Sequence, residues 1–285
     1  MKPLTSEQFL ESRVRDYFSL LKPRVMSLVI FTGITGLYLA PGTIHPFIAM
    51  IAILSISIAS GASGAINMWY DRDIDSIMTR TKKRPIPSGR VSAENSLYMG
   101  VFLSFMSVFL MGLAVNLLSA GLLAFTIFFY SYIYTVLLKR STAQNIVIGG
   151  AAGALPPLIG WTAVTNNITI EPIILFLIIF LWTPPHFWAL SLYRAEDYKK
   201  ANIPMMPIIA GLKSTKKQML FYTILLTITT VMPFYLNFAG SIYLYTAIFL
   251  NVIFMGMMLK LYLDPQNKLA GKTFAFSIFY LFIIF

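Results

Sequence analysis

The chain has 285 residues, 57% of them hydrophobic and 12% charged, and its 22 Lys and Arg outnumber 11 Asp and Glu to leave a formal net charge of +11. A soluble fold must cover itself with polar side chains, so this composition excludes one and points to a polytopic membrane protein. The absence of cysteine also excludes disulfides and thiolate metal sites, and leaves the redox compartment open.

In chain order, residues 1–23 carry acids among the apolar side chains and lack a long apolar core. They read as an interfacial amphipathic segment, neither a cleavable signal nor an Arg-rich, acid-poor transit peptide. That favours a bacterial plasma (inner) membrane over a mitochondrial one. Residues 24–285 then read as a single domain. A bilayer core of about 30 Å needs roughly 20 apolar residues per helix, and nine stretches qualify: 24–41, 46–67, 95–116, 119–138, 145–164, 172–192, 218–237, 240–260 and 271–285. Helix-length runs leave bundled helices as the way to satisfy the backbone in lipid. The expected fold is therefore all-α, with nine transmembrane helices around a central cavity.

With nine spans, every Lys and Arg falls on one side, and the other holds short loops with Glu171 and His45. The positive-inside rule makes the cation-rich side cytoplasmic and places the N-terminus there. The surplus charge is thus topogenic, with attraction to membrane lipid headgroups as a by-product, and nucleic acid is not an expected partner. The cytoplasmic side also carries the two long loops, about 68–94 and 193–217. Long loops without their own core tend to be lids or binding elements. Spans two and six lie four helices apart, a hint of two similar halves.

The first long loop opens with "NMWYDRDIDSIMTRTKKRPIPSG", Asn67–Gly89. If span two continues as helix, Asn67, Asp71 and Asp75 at i, i+4 and i+8 drift by only about 40° and rise about 6 Å per step. They form one stripe of oxygen ligands, and Asp73 falls on another face. Hard oxygen donors, with no Cys and two His in the chain, suit Mg²⁺ and not zinc or copper. Arg80, Lys82, Lys83 and Arg84 follow, before "PIPSG" stops any helix. Magnesium ligands beside clustered cations are what a diphosphate requires. A solvated loop with acids near a helix end by chance is the blander alternative.

Span six ends in "FLWTPPHFWALSLYRAEDYKKANIPMMP". Tyr193 and Asp197 are again four apart, Glu196 lies beside them, and Lys199 and Lys200 follow. Two such stripes at equivalent span ends could face each other and hold two metals and one diphosphate. Pro184 and Pro185 are expected to kink or unwind the span where it lines a cavity. His186 within the span is a functional candidate by default, as a metal ligand or a hydrogen-bonding group in the cavity, with a packing histidine as the alternative. Trp182, Phe187 and Trp188 read as cavity wall. Gly149, Gly150, Gly153 and Gly160 of span five read mainly as close-packing positions, with Pro156 and Pro157 as a second break. Lys139, Arg140 and Asn145 lie at the level of the carboxylates, where they could reach phosphates or anchor a span end.

The NxxxDxxxD stripe, the second acidic motif and the nine spans resemble the UbiA-type intramembrane prenyltransferases. The blocks "LLKPRVMSLVIFTG", "LLKRSTAQNIVIGGAAGALPPLIGW" and the two quoted above are similar to those of that family's haem-modifying branch. The second motif, YxxxD where others have DxxxD, follows that branch and leaves Tyr193 doubtful as a ligand. The resemblance implies that farnesyl diphosphate, protohaem IX and water give haem O and diphosphate. It implies Mg²⁺ on Asn67, Asp71, Asp75 and Asp197, with Tyr193 among the catalytic group. It further implies phosphate contacts from Arg80, Lys83, Arg84, Lys139, Arg140 and Lys200. Lys22 and Arg24 would pair with haem propionates, and His186 and Trp182 would meet the haem in the cavity. A haem A synthase or a terminal oxidase would be the downstream partner. Prenylation of a quinone precursor is the alternative within the family, against which "WTPPHFW" and "YRAEDY" argue. A transporter, with broken helices and paired acids, is the alternative outside it, but its acids should lie at the midplane.

Overall fold

The computed structural model describes residues 13–285, all of them helical or connecting, with no strand among the described residues. Short helix α1 (Val14–Leu20) meets α2 (Pro23–Leu39) at 55°. Long helix α3 (Pro46–Tyr70) ends at Asp71, and the six-residue α4 (Arg72–Ile77) follows. Helices α5 (Ala93–Ala114) and α6 (Leu117–Phe128) come next, and α6 runs on as a π-helix over Phe129–Leu138. The remaining helices are α7 (Asn145–Ala154), α8 (Pro156–Thr165), α9 (Ile170–Tyr193), α10 (Ala195–Lys200), α11 (Met206–Ile209), α12 (Gly211–Tyr235), α13 (Ser241–Leu263) and α14 (Ala270–Ile284).

Each expected span corresponds to a helix, but the count by length is lower than nine. Seven helices are long and apolar enough to cross a bilayer: α3, α5, α6 with its π continuation, α7 with α8, α9, α12 and α13. The bent pair α1–α2 makes eight, and α14 is shorter, at 15 residues. Of the interfacial segment expected over 1–23, residues 1–12 lie outside the described residues. Most of the rest is α1, with Val14 and Phe18 exposed and Asp16 and Leu20 buried.

The outer surface is apolar. Phe102, Phe105, Phe109 and Leu113 of α5 are all exposed, as are Tyr245, Phe249 and Val252 of α13. Such stripes on outward helix faces are what lipid requires and water forbids. Between helices, where hydrocarbon offers no hydrophobic drive, small residues and hydrogen bonds hold the bundle. A Cβ on Gly36 would sit 1.9 Å from the Pro157 carbonyl oxygen, and one on Gly160 would sit 2.1 Å from that of Gly33. These glycines let α2 and α8 touch backbone to backbone. Asn251 joins three helices, donating to Thr230 at 2.9 Å and accepting from the Tyr280 hydroxyl at 2.6 Å.

The two Pro-Pro pairs behave differently. Pro156 starts α8 after a one-residue break at Leu155. Helix α9 runs unbroken through Pro184 and Pro185, contrary to the expected unwinding. Both prolines are buried, so the lost hydrogen bonds are absorbed inside a helix clamped by its neighbours.

Candidate active site

The expected stripe forms. Helix α3 breaks at Asp71 (φ −86°, ψ 9°), yet backbone bonds from Asp71 N–H to Asn67 O at 2.9 Å and from Asp75 N–H to Asp71 O at 2.8 Å carry the i, i+4 register across the break. Asn67, Asp71 and Asp75 are 3%, 0% and 2% exposed. Asp73 points elsewhere and is exposed, as the helical spacing predicts.

Buried carboxylates need counter-charges, and Lys139 and Arg84 supply them at contact distance. Lys139, just past the π-helix, is bonded to Asp71 Oδ2. Arg84 Nη1 lies 2.6 Å from Asp75 Oδ2. Lys22 Nζ donates to Asn67 Oδ1 at 2.6 Å, and Asn67 Nδ2 donates to Asp71 Oδ2 at 2.8 Å and to Thr135 Oγ1 at 3.1 Å. Lys22 stands in the α1–α2 break with φ +53°, a left-handed backbone that turns its side chain inward over Gly64.

The other expected site residues are placed as follows. Lys22 is half-buried within this cluster, and Arg24 is exposed. Arg140 is committed to Asp73, two nitrogens each 2.8 Å from a carboxylate oxygen, and it stacks 4.8 Å over Tyr70. That contact holds the Asp73 carboxyl below its usual range. Arg140 therefore reads as an anchor, 3.6 Å from Asp71 Oδ1. Arg80, Lys83 and Lys200 are exposed on the same loops.

His186 is buried between α9 and α14. Its Nδ1 shares a 2.7 Å hydrogen bond with Ser277, and its ring stacks on Trp182 at 4.1 Å and Phe274 at 4.7 Å. Trp182 Nε1 donates to Ser277 O at 2.8 Å. The pair fastens α9 to α14, and among the described residues no group of acids and histidines there could hold a metal. Tyr193 is 55% exposed, lies under the Arg194 guanidinium at 4.7 Å and packs by Gly271, apart from the carboxylates.

Asp197 is buried in α10. The six-residue α10 follows α9 across one break residue, as α4 follows α3. Ile74 and Met78 beside the first cluster share one continuous core with Tyr198, Ala201 and Ile203 beside the second. Among the described residues, no three acids or histidines converge to hold a metal by themselves. The oxygen donors do suit a hard cation, however, and Asp71 Oδ1 is buried with no hydrogen-bond partner, a lone pair left for a ligand.

A mainly apolar cavity of about 120 Å³ opens beneath this cluster. Lys22, Gly64 and Tyr130 line it near the charges, and Val29, Ile56, Leu123 and Ile159 line it deeper in the bundle. Gly153 also faces it, with nothing within 4 Å of where its Cβ would be. Tyr130 and Thr135 belong to the π-helix, and Thr135 Oγ1 donates to Tyr130 O at 2.8 Å. Sequence reasoning named neither residue, because the π register leaves no signature in side-chain spacing. The arrangement is that of a membrane-embedded protein that receives a molecule with an anionic head and an apolar tail.

The UbiA prenyltransferase family model matches residues 29–283, and the chain belongs to that family. It is 58% identical over 279 residues to a protoheme IX farnesyltransferase of Rhizobium etli (strain CIAT 652), covering 96% of this chain and 88% of that one. It is 55% identical over 276 residues to a protoheme IX farnesyltransferase of Rickettsia bellii (strain OSU 85-389), covering 96% and 92%. Its fold is similar to that of a digeranylgeranylglyceryl phosphate synthase (TM-score 0.80, 21% identity, 95% of each chain). It is also similar to a UbiA homologue from Archaeoglobus fulgidus bound to GPP and Mg²⁺ (TM-score 0.71, 16% identity, 93% and 99%).

Proposed function

We propose that the protein transfers the farnesyl group of farnesyl diphosphate to a vinyl group of protohaem IX, with addition of water, giving haem O and diphosphate. The observation that carries the chemistry is the Asn67–Asp71–Asp75 stripe, buried and cation-paired, with Lys22 joining Asn67 to the wall of an apolar cavity. The near full-length identity to protoheme IX farnesyltransferases supports the choice of substrates.

Asn67, Asp71 and Asp75, with Asp197 from the second helix end, are the residues that would hold Mg²⁺. The ion, when bound, supplies Lewis-acid stabilisation of the leaving diphosphate. Lys139 and Arg84 already stand beside the carboxylates, and they turn from carboxylate to phosphate oxygens when the substrate enters. Their charge contacts strengthen in a water-poor site. Lys22 adds a third donor at the junction of head and tail. The C–O bond of the allylic diphosphate breaks with its electrons leaving on the diphosphate. The vinyl carbons of the haem supply the pair for the new C–C bond, and water fills the resulting electron deficiency and loses a proton. The apolar wall keeps water from the farnesyl group until the haem has attacked. No side-chain nucleophile is needed.

The cation-rich ends, with both acidic clusters, face the cytoplasm and the N-terminus lies there, in a plasma (inner) membrane. A haem A synthase or terminal oxidase takes the product. Purified protein incubated with farnesyl diphosphate, haem B and Mg²⁺ should yield haem O by mass spectrometry, and omission of any one should abolish it. Unchanged haem with all three present contradicts the proposal.

A further inference from the structure

The segment between α4 and α5 holds Arg84 against Asp75, and a separate set of contacts holds the segment itself. Beside backbone bonds such as Arg84 N–H to Thr81 O at 2.9 Å, Arg90 supplies three side-chain contacts. Its Nη2 donates to Lys83 O at 2.8 Å, its Nε donates to Ser88 Oγ at 2.9 Å, and its Nη1 lies 3.1 Å from Asp16 Oδ1 in α1. Ser88 Oγ in turn donates to Arg84 O at 2.7 Å. The guanidinium thus grips the backbone on both sides of Arg84, directly at Lys83 and through Ser88 at Arg84. The far end of the chain of contacts is fixed, because Asp16 is buried and bonded to the Arg13 N–H at 3.3 Å. Beneath it, Leu20 of α1, Ala65 and Met68 of α3 and Val91 form a small core of their own, with Tyr17 and Ile86 against it.

A fork of this kind fixes geometry as well as charge. Asp75 sits on α4 and cannot follow a drifting Arg84, so the height of the Arg84 guanidinium over the carboxylate is set by Arg90. We propose that Arg90 and Asp16 are positioning residues for the diphosphate head: they act through Arg84, and they couple α1 to the phosphate-binding end of the site. This rests on the reading of Arg84 as a phosphate ligand.

The test is a double-variant cycle in the full-length protein in nanodiscs, with Mg²⁺ and inorganic diphosphate as the binding probe and steady-state kinetics beside it. Arg90→Ala should weaken diphosphate binding and raise the KM for farnesyl diphosphate by about tenfold, the effect of loosening rather than deleting a charged contact. kcat and the KM for haem should stay within about twofold. Added to Arg84→Ala, Arg90→Ala should have no further effect on either, since it acts through a group already gone. Asp16→Asn, a milder change, should shift the same two quantities by a smaller factor, and Arg90→Lys, which keeps charge but not the fork, should recover them only in part. Equal diphosphate affinity in wild type, Arg90→Ala and Asp16→Asn overturns the proposal. So does an additive loss in the double variant, which would mean that Arg90 touches the substrate or supports the fold generally. A wild-type protein that makes haem O but binds no diphosphate better than Arg84→Ala overturns the role of Arg84, and the positioning role with it. Failure to make haem O while diphosphate binding follows the cycle would leave the positioning role standing and remove the haem substrate instead.

Discussion

At the scale of single residues, the site depends on charges held out of water. Asp71 is fully buried between Lys139, Arg140 and the Asn67 amide, so Asp71→Asn removes both a proposed magnesium ligand and a counter-charge. Turnover should fall by at least about a hundredfold, the scale on which loss of one preorganised electrostatic group is felt. The variant should also melt earlier, since it strands a partly buried lysine. Adding Lys139→Met should restore much of the melting temperature and none of the activity. A double variant that regains turnover would show that the pair serves stability alone. The stripe was legible in the sequence because helical register survives the break at Asp71. The inward turn of Lys22 was not, because it depends on a left-handed backbone angle at one residue. The partner of His186 was out of reach for a related reason: Ser277 lies 91 positions away in the chain.

Among the helices, spacing in the sequence located nearly every element and said little about contact. The glycines of span five illustrate this. Gly149 and Gly150 abut Tyr134 and Thr183, Gly160 abuts the backbone of α2, and Gly153 abuts nothing. Gly36→Ala should therefore destabilise the protein by about 1–3 kcal/mol, because the obstacle is a backbone carbonyl that cannot turn aside. Gly153→Ala should leave stability unchanged or raise it slightly, given the better helix propensity of alanine. Thermal unfolding in detergent distinguishes them, and equal melting temperatures would contradict the close approach of α2 and α8. The π-helix was invisible to sequence reasoning, as its five-residue bonding pattern comes from packing. It nevertheless places Tyr130 on the cavity and Thr135 on Asn67.

On the scale of the whole molecule, segregation of cations along the chain predicted which ends lie together, and the shared core of Ile74, Met78, Tyr198 and Ile203 joins the two acidic ends. Charge patterning carries such information because insertion reads it directly. Span number was less secure, since α1–α2 is bent and α14 is short. The natural lack of cysteine makes sidedness easy to measure. Lys82→Cys and Lys199→Cys should be labelled by an impermeant maleimide only from the cytoplasmic side of oriented vesicles, and Asn166→Cys only from the other. Labelling of the first two from opposite sides would dismantle the site.

The most direct measurement is the mass of haem extracted from cells that lack any other such activity, carrying either the wild-type protein or Asp71→Asn at matched membrane levels. Haem O with the wild type and haem B alone with the variant is the predicted result. Haem B alone in both, or haem O in both, would contradict the account.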